Sequence, residues 1–171
     1  MTPRSEDGLR PNPRVWIDGD GCPRPVKEIV FRAAERRGVD VTLVANRPVL
    51  VPRHPRIHTV QVQPGLDVAD AWLVQHAQAG DLVITSDLPL AAELVEQGVT
   101  AVSARGETWT AENVRERLSV RDFLVEARES GIIQGSGPPP FDERATRAFA
   151  NAFDTWLGKA RINPAARSGA P

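Results

Sequence analysis

The stretch from Arg14 to Glu28, RVWIDGDGCPRPVKE, decides how the rest of the chain is read. Val15, Trp16 and Ile17 are β-branched or aromatic and read as the end of a buried strand. Residues two apart on a strand share a side, so Asp18 and Asp20 project together where the strand gives out. Gly19 and Gly21 let the backbone turn and come close to a ligand, and Pro23 or Pro25 suits the first position of a following helix. That helix directs free N–H groups at the same spot. Two carboxylates so placed raise a pKa, bind a cation or stay well hydrated. Taken alone, the stretch also fits a solvated, helix-capping Asp-Gly turn.

Working outward, Val26, Ile29, Val30, Ala33 and Ala34 follow helical spacing, and Gly38 stops that helix just after Arg36 and Arg37. Val39 to Ala45 reads as a second buried strand and Ile57 to Val62 as a shorter third. Asp67 is placed to cap a helix running to about Ala79, with Gly80 as its stop. Leu66, Asp70, Leu73, Val74 and Ala77 share one stripe of that helix, which puts Asp70 on an otherwise apolar face. Leu82 to Thr85 is a buried strand ending in Ser86 and Asp87; Pro89 opens a helix, Gly98 ends it, and Val99 to Val102 is a further strand.

Beyond Ser103 the pattern predicts helices only: 111–118, then 120–130 capped by Ser119 with Asp122 three residues on. After a GSGPPP linker, Ala145, Ala148, Phe149, Ala152, Phe153, Trp156 and Leu157 form the apolar stripe of a last helix. This stripe is expected to pack on the sheet or to pair with a second copy as a homo-oligomer.

Strands alternating with helices predict an α/β domain with a mainly parallel sheet, helices on both faces and a helical C-terminal part. Residues 14–162 form the single domain, while 1–13 and 163–171 lack apolar periodicity and are expected to be mobile tails. In such folds ligands bind along the edge formed by the C-terminal ends of the strands. Asp18, Asp20, Asp67, Asp70, Ser86 and Asp87 all fall there. An acidic cluster drawn from three separate segments adds repulsion that a cation readily offsets.

With 41% hydrophobic and 25% charged residues in 171, the chain suits one globular domain with an ordinary core. A net charge of -1 confines any nucleic-acid contact to a local patch. The single cysteine excludes an internal disulfide and, with no apolar run long enough to span a membrane, points to the cytoplasm.

The segments IDGDGCPRPVKE, LVAN, GLDVADAWLV, GDLVITSDLPLAAELVEQG, ARGE and RDFL resemble the successive motifs of the uncharacterised YaiI/YqxD family, which is placed among PIN-like nuclease folds. The resemblance runs from about Val15 to Phe153. The family pattern usually reads Asp-Ala-Asp where this chain has Asp18-Gly19-Asp20, which leaves both carboxylates in place. It implies a PIN-like three-layer α/β/α domain and Mg²⁺- or Mn²⁺-dependent cleavage of single-stranded RNA by an endoribonuclease. Carried over by motif, the candidate catalytic residues are Asp18, Asp20, Asp70 and Asp87, and Asp67 joins them as a candidate metal ligand. Aspartates supply the hard oxygens such chemistry needs. Thr85 and Ser86 are candidates to orient a water or phosphate, or simply satisfy backbone at the strand end.

Two other readings compete. An apolar strand followed by Asp18, Asp20 and Gly21 also resembles the opening of haloacid-dehalogenase-type phosphatases, with Asp18 as nucleophile. That reading wants a positioned lysine or arginine, and the only lysines, Lys27 and Lys159, lie in the first and last helices. The other is a non-catalytic RNA-binding module with a degenerate site. Cys22 reads as a small packing residue rather than a reactive thiol, and His54, His58 and His76 as surface residues. Residues 41–66 contain no acid but carry Arg47, Arg53 and Arg56, so this loop is the first candidate for tracking phosphates, with Arg105 and Arg121 as two more.

Overall fold

In the computed structural model, which describes residues 11–131, 140–169 and 171, strands and helices alternate as far as the fifth strand except between the second and third strands, which a loop joins. The order is β1 (Arg14–Asp18), α1 (Arg24–Arg37), β2 (Asp40–Ala45), β3 (Ile57–Gln61), α2 (Val68–His76), β4 (Leu82–Ile84), α3 (Leu88–Glu96), β5 (Thr100–Val102), β6 (Thr108–Trp109), α4 (Ala111–Glu129) and α5 (Glu143–Lys159). The expected α/β class, mainly parallel sheet and helical C-terminal part are all present. The sheet runs β3-β2-β1-β4-β5-β6, and only β6 is antiparallel to its neighbour. The chain therefore winds outward through β2 and β3, then returns to pair β4 with the free side of β1.

Strand alternation sorts the core into two layers. Val15, Ile17, Val41, Leu43, Leu82 and Ile84 face α1 and α5. Trp16, Val44 and Val83 face the other way, onto Leu73 of α2 and Leu90 and Leu94 of α3. The broad stripe of α5 is used within the chain: Phe149, Phe153 and Leu157 are buried beside α1 and the sheet. Of the two partners expected for this stripe, the sheet layer takes Phe149, Phe153 and Leu157. No helix among the described residues is long and apolar enough to cross a membrane.

Three local expectations are corrected. The predicted break at Ser119 does not occur; its hydroxyl donates to the Arg115 carbonyl at 3.3 Å, so it lies inside one continuous α4 rather than capping a second helix. The cap is instead Thr110, in a reciprocal box with Asn113. The pattern predicts no strand beyond Ser103, yet β6 pairs with β5 through Ala101 and Trp109.

The third correction concerns the C-terminal tail. Asn163 exchanges two hydrogen bonds with the buried Asn12, at 2.8 and 2.9 Å. Arg56 donates to the carbonyls of Pro164 and Ala166, Ser168 donates to the Pro55 carbonyl, and Arg14 donates to the Gly169 carbonyl. Residues 163–169 thus lie along the N-terminal edge of the sheet, because arginines there find backbone acceptors that apolar periodicity does not register. Residues 1–10 and most of the GSGPPP linker lie outside the described residues.

Gly106 sits where the β5–β6 connection meets α5. Its φ is +87°, and a Cβ there would stand 2.4 Å from the backbone carbon and oxygen of Ala148. Backbone of a packed helix cannot yield as a side-chain tip does. Gly106→Ala is expected to destabilise the protein by about 2 kcal/mol or more; urea unfolding with an unchanged midpoint would show that α5 is not seated on this turn.

Candidate active site

Placing β1 between β2 and β4 opens a crevice at the C-terminal ends of β1 and β4, the point where strand order reverses. Asp18 is the last residue of β1, in register with Val44 of β2, and the Gly19 N–H continues that ladder to the Val44 carbonyl at 2.8 Å. Asp20 follows on the turn into α1, where it accepts from the Asn46 N–H at 3.2 Å. On the opposite wall the Thr85 hydroxyl donates to Asp18 Oδ2 at 2.9 Å and itself accepts from the Asp87 N–H at 3.1 Å. Asp87 caps α3 by accepting from the Leu90 N–H at 3.0 Å.

The third wall comes from α2. Asp67 occupies its N-cap position but with left-handed backbone (φ 60°) and no side-chain cap, so its carboxylate is not spent on the helix as the capping pattern predicts. Asp70, one turn on, faces Asp87 and Asp18. Asp18, Asp20, Asp67, Asp70 and Asp87 thus share the walls of one crevice, together with Asn46 and Gly65. A contiguous hollow of about 170 Å³ continues past Cys22, Thr85 and Ser86. No lysine or arginine lines either part among the described residues.

The electrostatics follow from that lining. Burial raises the Asp18 carboxyl above its ordinary range; the Thr85 hydrogen bond opposes this, while the charges of Asp20 and Asp87 add to it. Asp70 is pushed up to about 7, first by burial, then by the charges of Asp87 and Asp18, and further by a proton shared with the Asp87 carboxylate. Burial also pushes the Cys22 thiol up to about 12, so Cys22 is an unreactive wall residue.

The oxygens are of the kind hard divalent cations prefer. Among the described residues, no three His, Cys, Asp or Glu side chains are grouped so as to hold a metal ion. A cation here would rest on one or two carboxylates and keep much of its water, the usual habit of Mg²⁺.

The other residues singled out from sequence are dispersed. Arg47 follows Asn46 at the crevice rim, and Arg53 is exposed on the loop that leaves it. Arg56 is at the opposite edge of the sheet, paired with Asp40 at 3.3 Å and with the tail carbonyls, which makes it a structural residue. Arg105 and Arg121 border a neighbouring groove along α4. The histidines are half-buried with partners rather than free on the surface: His54 accepts from the Arg56 N–H, His58 pairs with Ser168, and His76 stacks on Trp72. Asn46 is a wall residue that the sequence reading misses; its signal is its place directly after the buried β2 strand.

Comparison with known proteins agrees with these motifs. A profile of the family described as "Uncharacterized BCR, YaiI/YqxD family" matches residues 16–159, and the chain belongs to that family. A UPF0178 protein of Thioalkalivibrio sulfidiphilus (strain HL-EbGR7) is 52% identical over 146 residues, 85% of this chain and 99% of its own. UPF0178 proteins of Cellvibrio japonicus (strain Ueda107) and Yersinia pestis (strain Pestoides F) are 46% and 50% identical, each over 86% of this chain and 97% of theirs. No solved structure matches the chain.

The Asp70 proton gives a stability signature of unusual sign. The unfolded carboxyl titrates near its ordinary 3.8 and the folded one near 7, so between these values the folded state binds more protons. This group's contribution is present at low pH and is lost as pH rises through about 7. Asp70→Asn, which cannot ionise, is expected to melt higher than the parent at about pH 8 and to lose that advantage toward about pH 5. A parent and variant that melt in parallel across this range would mean that Asp70 is ordinarily ionised.

Proposed function

We propose that this member of the YaiI/YqxD family is a PIN-like ribonuclease that hydrolyses phosphodiester bonds of single-stranded RNA, with Mg²⁺ or Mn²⁺ as cofactor. The observation that carries the reading is a crevice of five aspartates with no cationic side chain in its lining among the described residues. Carboxylates that serve architecture alone are met by N–H donors, as Asp81 is at the other edge, accepting from the Arg14 and Gln78 N–H groups and the Trp16 indole. In the crevice Asp20 and Asp87 each accept one N–H, from Asn46 and Leu90, and Asp18 accepts the Thr85 hydroxyl, but Asp70 faces Asp87 and Asp18 and no cationic side chain lines the walls among the described residues.

A bound divalent ion would supply charge neutralisation for a phosphate and acidify a water. Asp18 and Asp20, on the strand end and the following turn, are the residues best placed to hold it. Thr85 fixes Asp18 by donating to one of its oxygens, and its tie to the Asp87 N–H fixes the two walls relative to each other. Its proton is thereby committed, which makes Thr85 a positioning residue. A carboxyl that titrates near neutrality can accept a proton from an attacking water and return it to a leaving oxygen, and Asp70, sharing its proton with Asp87, has that property. Ser86 is exposed at the rim, with its hydroxyl open to a phosphate oxygen.

Purified protein is expected to cut single-stranded RNA only with Mg²⁺ or Mn²⁺, and Asp18→Asn, Asp20→Asn or Asp87→Asn to lower the rate by at least about 100-fold. Calorimetry on the same variants should show weaker metal binding in step. Cutting that survives equally in all three would assign it to a contaminant and remove this reading.

A further inference from the structure

The acidic crevice poses a problem of its own: a phosphate chain approaching it meets repulsion from every wall, so its affinity must come from a basic surface nearby. We infer that the groove between α4 and the connections following β4 and β5 is the track on which single-stranded RNA lies as it enters the crevice. The choice of ligand rests on the ribonuclease reading above; the groove itself rests on independent observations.

The groove has a volume of about 630 Å³ and adjoins the crevice directly, since Ser86 lines both. Four arginines border it, Arg105, Arg117, Arg121 and Arg128, against a single carboxylate, Glu107. Glu107 is engaged by Arg117 at 2.7 Å, so the lining holds no other carboxylate to match Arg121 and Arg128. This is the reverse of the crevice next to it. Arg117, Arg121 and Arg128 are spaced by four and seven residues, which sets them in one row on α4 with about 6 Å and about 10 Å between successive members along the axis. All three are exposed.

Between the charges the lining is apolar: Leu88, Val120, Leu124 and Trp109. Alternating cations and apolar surface match a chain whose phosphates alternate with bases, whereas an acidic peptide would have no use for the apolar floor. Trp109 adds a polar feature. It is 8% exposed, and its indole N–H is buried with no hydrogen-bond partner among the described residues. A buried donor left unpaired is costly. In the rival basic segment Arg56 is already held by Asp40 and the tail at the far edge of the sheet, which leaves two arginines there, Arg47 and Arg53, against the four of the groove.

The test uses the full chain and a fluorescein-labelled single-stranded oligouridylate in EDTA, which prevents cutting, with anisotropy read across a salt series. Arg121→Ala/Arg128→Ala removes two exposed side chains and should weaken binding by about tenfold or more. It should also lower the slope of log K against log salt by about 1.4, near 0.7 for each phosphate no longer neutralised. A 4-thiouridine oligonucleotide should crosslink to residues between 105 and 128. An unchanged slope, crosslinks confined to the 47–53 loop, no RNA binding by the parent, or an oligoglutamate peptide that displaces RNA at equal charge would each overturn the proposal. Arginine-dependent binding without cutting in Mn²⁺ would remove the ribonuclease reading and leave the groove. Cutting with an unaltered KM in the double variant would do the opposite.

Discussion

One hydroxyl bridges two walls of the acidic crevice at the C-terminal edge of this protein's sheet. Thr85 donates to Asp18 and accepts from the Asp87 N–H, and so spans the seam between β1, where the chain begins winding one way, and β4, where it begins winding the other. A parallel sheet with this order must leave a gap at the reversal, since the connections after β1 and β4 depart to opposite faces. The gap is then filled with whatever residues end those strands. Here they are carboxylates, and the hydrogen bond keeps the first of them from turning away from the others.

Two populations of partly or fully buried acid coexist as a result. At the N-terminal edge, Asp81 is met by three N–H donors and Asp40 by Arg56, so their charges serve the fold. At the C-terminal edge Asp18 accepts the Thr85 hydroxyl and Asp87 the Leu90 N–H, yet Asp18, Asp70 and Asp87 feel one another's charge, and burial raises the cost of charge on Asp18 and Asp70. Arginine meets acid at one edge, through Arg56 and Asp40, whereas no lysine or arginine lines the crevice at the other among the described residues. Arg117, Arg121 and Arg128 are gathered on α4 instead, one groove away.

Much of this is legible in the sequence because burial leaves plain marks there. Strands covered on both faces read as unbroken apolar runs, and β1, β2, β4 and β5 each fall on such a run. The acids at the ends of those runs are legible for the same reason. What escapes is set by contacts distant in sequence. β6 has two residues, too few to show any alternation, and exists because β5 offers an edge. Ser119 looks like a cap because serine competes for backbone bonds, but inside α4 that competition is spent on the Arg115 carbonyl four residues back. Asp67 likewise has the residue type of a cap and the backbone of a turn. The tail carries no apolar pattern at all; it is held through carbonyls that Arg14 and Arg56 seek out.

The proposal that the crevice holds a divalent cation is tested most directly with Mn²⁺, whose unpaired electrons broaden nearby NMR signals. In a titration of ¹⁵N-labelled protein, the backbone resonances of residues 18–20, 46, 70 and 85–87 should broaden first and together, with added Mg²⁺ restoring them. Broadening that begins elsewhere, or none at millimolar Mn²⁺, would contradict the account and leave the acidic crevice without an assigned partner.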